Sequence, residues 1–127
     1  MTVTAYRATA TNIPLGDYFT VVVQLRLPNT GNFVVFGRVT ITNSATTAET
    51  CNVELTTLDG ATVLDEALIG IPPGAAGNMA CVTVQGFLNL SLPGDNEIVD
   101  IRCASGGPNV TAYSCSLIAI SVDQLSG

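Results

Sequence analysis

The sequence contains no histidine, no lysine and no tryptophan, and only 11% of its residues are charged. Histidine is the commonest general base and the usual partner of a catalytic serine, and lysine supplies the amine of Schiff-base enzymes. A serine or cysteine nucleophile would therefore lack its usual activator. Asp65 and Glu66 are adjacent in a predicted strand and point to opposite faces, so they cannot flank one bond as glycosidase carboxylates do. We therefore expect that the protein is not an enzyme.

Positive charge is also scarce. The four basic residues are all arginines (Arg7, Arg26, Arg38 and Arg102), against ten acidic residues, and the formal net charge is −6. Binding to nucleic acids and to anionic lipid surfaces depends on clustered cations. We therefore expect no nucleic-acid partner and no docking on anionic membranes.

No hydrophobic run approaches the roughly 20 apolar residues that a membrane-spanning helix needs, so we expect no membrane insertion. Hydrophobic residues nevertheless make up 47% of the 127 residues. This length predicts one domain over residues 1–127, and a domain of this size has limited interior for so much apolar surface. We therefore expect part of that surface to be buried between the subunits of a homo-oligomer.

Residues 1–25 do not show the basic region, apolar stretch and cleavage site of a secretory signal in that order. Three alternatives stay open at this point. The chain is a mature exported domain, it leaves the cell by another route, or it stays inside the cell.

Short apolar runs with a period of two, bounded by Gly, Pro, Asn and Asp, are typical of β-strands. Asp59-Gly60 is the strongest hairpin signal among the breaks between them. Eight strands at regular spacing predict an all-β fold, a two-sheet antiparallel β-sandwich of the jelly-roll type. The predicted strands are Val3–Thr9, Tyr18–Leu27, Asn32–Asn43, Thr50–Leu58, Thr62–Gly70, Ala80–Leu92, Glu97–Cys103 and Val110–Val122.

Alternation along the strands predicts which side chains face the core. Cys51 and Cys103 share their faces with apolar neighbours and should point inward. The last strand is apolar on both faces over Leu117–Ile120, which favours contact with a neighbouring subunit on one side. A central strand buried within a monomer is the alternative. The predicted oligomer interface comprises Tyr113, Cys115, Leu117 and Ala119.

Three segments occur in an order that resembles a known family. They are the glycine-aromatic strand in Leu27–Phe36, the Gly-Asp turn between apolar strands in Leu88–Ile101, and the final strand Tyr113–Ile120. The segments resemble the globular heads of the tumour necrosis factor (TNF) and complement type, and more closely small uncharacterised bacterial proteins of that jelly-roll superfamily. The match runs from Phe33 to Val122, whereas the first strand departs from the pattern. The resemblance implies a TNF-like jelly roll and a trimer, and it carries over no ligand site.

The four cysteines allow disulfides, a metal site or buried thiols. There is no Cys-x-x-Cys spacing and no histidine, which argues against zinc. In the strand order that the resemblance implies, Cys51 lies opposite Cys103, and a disulfide between them is the candidate. Cys81 and Cys115 would be separated by a strand, so we expect them to be reduced or linked to another chain. Alternatively, all four cysteines are small buried hydrophobes.

Asp95, Glu97 and Asp100 gather oxygen ligands of the kind that calcium prefers, although acidic turns are usually only solvated. We expect no other cofactor. Tyr6, Tyr18 and Tyr113 either contribute to a sugar-binding platform or, as the strand-like spacing favours, pack in the core or an interface.

Two functional hypotheses follow. The first is a non-catalytic structural or display module that self-assembles, as a trimer, on an extracellular, spore, filament or virion surface. The alternative is a recognition domain that binds carbohydrate or protein through loops at one end of the sandwich.

Overall fold

The computed structural model describes residues 4–27, 31–57, 62–73, 78–90, 97–107 and 109–122. These ranges contain eight strands and no helix long and apolar enough to cross a membrane. The strands are β1 (Ala5–Pro14), β2 (Thr20–Leu27), β3 (Gly31–Asn43), β4 (Glu49–Thr57), β5 (Thr62–Ile71), β6 (Asn78–Leu90), β7 (Glu97–Ser105) and β8 (Val110–Val122).

These strands form two antiparallel sheets of four strands each. The order is β1-β8-β3-β6 in one, here the front sheet, and β2-β7-β4-β5 in the other, here the back sheet. The expected two-sheet antiparallel sandwich is confirmed. The largest difference from the predicted strands is in β1, which continues to Pro14 instead of ending at Thr9. Asn12 has a positive φ of 56°, and the strand pairs with β8 on both sides of that residue.

The core lies between the two sheets and is built by alternation. In β4 and β7 the predicted inward residues are all fully buried, which confirms the predicted facing of both strands. The front sheet contributes aliphatic side chains from β3, β6 and β8 to the same cluster. The inward residues of β4 and β7 are Cys51, Val53, Leu55, Val99, Ile101 and Cys103.

The face of β8 that packs against the core is the opposite of the one that the sequence predicted. Tyr113 is an extra residue relative to β3, at the point where the register of the two strands shifts. Such a bulge reverses the alternation of inward and outward side chains. Beyond it, Cys115, Leu117 and Ala119 are buried in the core with 2% exposure or less, whereas Tyr113 is 48% exposed. Three of the four predicted interface residues therefore lie inside the subunit and do not face a neighbouring one.

The two sheets approach each other closely at Gly37 of β3. A Cβ atom at this position would lie 2.5 Å from Cδ1 of Ile101 and 3.0 Å from Cγ2 of Val84. Both contacts are shorter than ordinary van der Waals separation, and both neighbours are buried. Glycine at this position therefore provides the space that Ile101 of the back sheet occupies.

A buried side-chain amide joins the end of β3 to the end of β5. Asn43 is fully buried, and its Nδ2 donates to the carbonyl oxygens of Thr47 at 3.0 Å and Ile71 at 3.2 Å. Its Oδ1 accepts a hydrogen bond from the backbone N–H of Ala45 at 2.9 Å. Two of these bonds give partners to backbone groups of the buried residues Ala45 and Ile71.

Candidate functional site

The outer face of the front sheet carries a continuous set of apolar side chains on three adjacent strands. Val34 pairs with Ile120 on one side and with Phe87 on the other. Two residues along β3, Phe36 pairs with Ile118. Phe36 is 42% exposed and Phe87 is 66% exposed. We call these five residues the front apolar patch.

A shallow depression of about 580 Å³ borders the front apolar patch and has both polar and apolar lining residues, among them Phe36, Arg38, Asp65 and Gln85. Asp65 reaches it from β5, and its Oδ2 accepts the backbone N–H of Gln85 at 2.9 Å. Gln85 lies on β6, an edge strand whose outward N–H groups would otherwise offer pairing sites to other chains. Asp65 therefore closes part of an exposed sheet edge.

Cys81 is exposed on the outer face of the front sheet. Nε of Arg38 donates to its Sγ at 3.1 Å. Cys81 and Cys115 lie on β6 and β8, with β3 between them, as the resemblance implied. Their expected states, reduced or linked to another chain, are consistent with this separation, and both are free thiols in the structure.

The candidate disulfide partners Cys51 and Cys103 are neighbours, but their register differs from the expectation. Cys51 pairs with Ser105, and Cys103 pairs with Val53, so the two cysteines are diagonal and not directly opposite. Both are free buried thiols. A hydrogen bond with Cys103 lowers the pKa of Cys51, and the same bond together with burial raises the pKa of Cys103. The disulfide between them stays a prediction.

Burial raises the pKa of the third inward thiol, Cys115, from an ordinary value of 9.0 to about 11. The folded state therefore holds this proton more tightly than the unfolded chain does. The resulting stabilisation is fully present below pH 9 and is lost as the pH rises towards 11. We expect the free energy of unfolding, measured with urea, to fall across this window.

The matched variant for this prediction is Cys115→Ala, which removes the thiol. Its free energy of unfolding should fall less than that of the native protein between pH 9 and 11. Groups that ionise far from Cys115 affect both proteins equally, so the difference between the two curves reports Cys115 and its interaction with Cys103. Parallel curves would show that this thiol is not held in its protonated form by the fold.

The predicted calcium ligands are only partly within the described residues. Asp95 lies outside them, as does the side chain of Glu97. Asp100 is fully buried, and its two carboxylate oxygens accept from Gln24 Nε2 at 2.9 Å and Arg102 Nη2 at 3.2 Å. These contacts make Asp100 part of an ion pair on the outer face of the back sheet. The described part of the chain contains no group of three His, Cys, Asp or Glu side chains suited to a metal.

The three tyrosines are not brought together. Tyr6 packs against the core edge to face with Phe33, at a ring separation of 6.1 Å. Tyr18 is 87% exposed in the connection between β1 and β2, and Tyr113 occupies the bulge of β8. A sugar platform built from these three residues is therefore not formed.

A smaller depression, of about 220 Å³, lies on the outer face of the back sheet and is lined by Phe19, Asn52, Glu54, Glu66 and Leu68. Sequence alternation places Asn52 and Glu54 on this face. It did not identify the site, because neither the pairing of β4 with β5 nor the position of Phe19 follows from periodicity. We call this the back-sheet depression.

Comparison with known proteins gives a likeness of fold. No protein-family model matches the chain, and no curated protein matches it. The crystal structure of murine APRIL at pH 5.0, a TNF-family ligand, is similar over 94% of this chain and 100% of that chain, with a TM-score of 0.54 and 10% sequence identity. At this identity the likeness shows a TNF-like jelly-roll fold and nothing more. Closeness to small bacterial members stays a prediction.

Proposed function

We propose that this protein is a non-catalytic structural or display module that assembles as a homotrimer through the outer face of its front sheet. The observation that supports this proposal is the front apolar patch, which exposes two phenylalanine rings beside three aliphatic side chains. Clustered exposed apolar side chains on a soluble domain commonly mark an interaction surface. The TNF-like fold adds support, because domains of this type typically form trimers.

The patch suits a contact between copies of the same chain for two reasons. Its five side chains are uncharged, and the charged groups lie at its border, where Arg7 pairs with Ile118 and where Arg38 and Asp65 line the adjacent depression. It also reaches the edge strand β6 through Phe87, so an edge of one subunit can pack against the sheet face of the next. A head-to-tail contact of this kind closes into a ring when its rotation is threefold.

The proposed place of action is an extracellular, spore, filament or virion surface, where the assembly itself is the function. Complete burial of a phenylalanine or isoleucine side chain from full exposure contributes roughly 1.5–3 kcal/mol. The patch side chains are already partly covered in the subunit, so each contributes only part of that on assembly. A few well-buried side chains commonly supply most of the binding energy of an interface.

The proposal predicts that Ile118→Asp converts a trimer into a monomer that remains folded. The side chain points outward, so the new carboxylate is solvated in the monomer and is buried only on assembly. Size exclusion with light scattering measures the mass, and circular dichroism checks the fold. Leu68→Asp is the matched control, because Leu68 is 67% exposed on the opposite sheet.

Three outcomes contradict the proposal. A native protein that is monomeric at high concentration would contradict it outright. An Ile118→Asp protein with the native mass would show that the contact lies elsewhere. If Leu68→Asp lowered the oligomer mass as much as Ile118→Asp does, dissociation would not be specific to the outer face of the front sheet.

The recognition alternative is favoured by one observation, the back-sheet depression, which combines an exposed aromatic ring with carboxylate and amide groups. Its position is on a sheet face and not in the loops that the sequence suggested.

A further inference from the structure

We propose that the back-sheet depression binds a neutral pyranose sugar. This inference deepens the recognition alternative of the proposed function. It does not depend on assembly, because the depression and the front apolar patch lie on opposite outer faces of the sandwich.

The depression is built from two neighbouring cross-strand pairs. Asn52 pairs with Leu68, and Glu54 pairs with Glu66, so the four side chains stand together on the outer face of β4 and β5. Facing side chains of such pairs are about 4.5–5.5 Å apart at Cβ. The strands therefore place two carboxylates and one amide within the width of a single sugar ring.

Phe19 enters the depression from the segment before β2. Thr20 pairs with Cys103, and Asn52 pairs with Ala104, so the backbone directs Phe19 towards Ala104 and the start of the depression. Ala104 is only 6% exposed although it lies on the outer face of the sheet, whereas the ring of Phe19 remains 46% exposed. A Phe19 ring packed over the small side chain of Ala104 would keep its other face open to a ligand.

Glu54 lies opposite Glu66 on one side and opposite Arg102 of β7 on the other. The ion pair that the structure shows among the described residues joins Arg102 to Asp100, and neither glutamate takes part in it. Like charges directly opposite on a sheet are destabilising. Hydroxyl groups that donate to both carboxylates would offset this cost, and bonds with an ionised acceptor are roughly twice as strong as neutral ones.

The chemistry of the lining selects a neutral sugar over other ligands. One face of a pyranose ring presents C–H groups, which pack against an aromatic ring, and its edge presents hydroxyls for Glu54, Glu66 and Asn52. Anionic sugars are disfavoured by the two carboxylates and by the net charge of −6. The volume of about 220 Å³ is below the 300–1,000 Å³ of drug-sized pockets and suits a single ring.

Saturation-transfer NMR with the native chain tests the proposal. The probes are the methyl glycosides of glucose, galactose and mannose, with sialic acid as the anionic comparison. At least one neutral glycoside should bind with a Kd in the millimolar range, which is about −4 kcal/mol. Its binding should not change between low and high salt, because no ion pair is formed.

Three variants assign the binding to this site. Phe19→Ala should weaken it about tenfold, and Phe19→Tyr should retain it because the flat ring is kept. Glu54→Gln with Glu66→Gln should weaken it by a similar factor, since the charged acceptors are lost. Met79→Ala, which truncates an exposed apolar side chain of the front sheet outside the front apolar patch, should leave binding unchanged.

The proposal is overturned if no neutral glycoside binds, or if binding survives Phe19→Ala. It is also overturned if a lysine-containing peptide binds more tightly than every glycoside and is released by salt, which would make the depression a docking site for cationic protein segments. Sugar binding to this depression does not require assembly. If the native protein proved to be a monomer, the assembly proposal would fail while the sugar-binding results would stand, so the two failures are distinguishable.

Discussion

Replacing Leu117 with aspartate should unfold the protein and not merely dissociate an assembly. Leu117 is fully buried between the sheets, on the inward face of β8 beyond the bulge. An unpaired carboxylate at this position would lose its hydration within the hydrophobic core. The expected loss is about 4 kcal/mol or more, which is a large part of the 5–15 kcal/mol that stabilises a typical domain. Urea unfolding followed by circular dichroism measures it.

The next residue in the chain provides the control for this prediction. Ile118→Asp introduces the same carboxylate one position later, on the outward face of the same strand. It should lower the urea midpoint only by the part that assembly contributes, much less than Leu117→Asp does, while it changes the mass of the assembly. Suppose instead that Leu117→Asp kept the urea midpoint of the native protein and only lowered the oligomer mass. In that case β8 would present its opposite face to the core, and the register described above would be wrong.

Gly37→Val should destabilise the domain severely, because the new Cβ would meet Cδ1 of Ile101 at 2.5 Å. Overpacking of a buried site typically costs about 1–3 kcal/mol and forces neighbouring side chains off their rotamers. Valine is otherwise favoured in strands, so intrinsic propensity predicts the opposite effect. Thermal unfolding of the single variant measures the net result.

Two further variants show whether crowding is the cause. Gly70→Val is the matched control, because Gly70 is also in a strand and a Cβ there meets nothing within 4 Å. It should be neutral or mildly stabilising. Adding Ile101→Ala to Gly37→Val should recover part of the lost stability, since the clash and the cavity left by isoleucine offset each other. A double variant that is as unstable as the sum of the two singles would exclude crowding between these residues.

The sequence alone determined the class of fold and much of its detail. A period of two in the apolar residues, with Gly, Pro and Asp at the breaks, is a local property that each strand carries by itself. For that reason the number of strands, the inward facing of Cys51 and Cys103, and the two-sheet arrangement were predictable. The order of the three family-like segments added the TNF-like topology, which the likeness to murine APRIL supports.

Only the tertiary structure determined which strand faces are exposed to solvent and which residues meet on them. Over Leu117–Ile120 both faces of β8 are apolar, so periodicity could not choose between them, and the bulge at Tyr113 made the choice. The diagonal position of Cys51 and Cys103 depends in the same way on the register of β4 against β7. The back-sheet depression joins residues from three separate parts of the chain. Pairing between distant strands is set by packing over the whole core, and a local pattern carries no information about it.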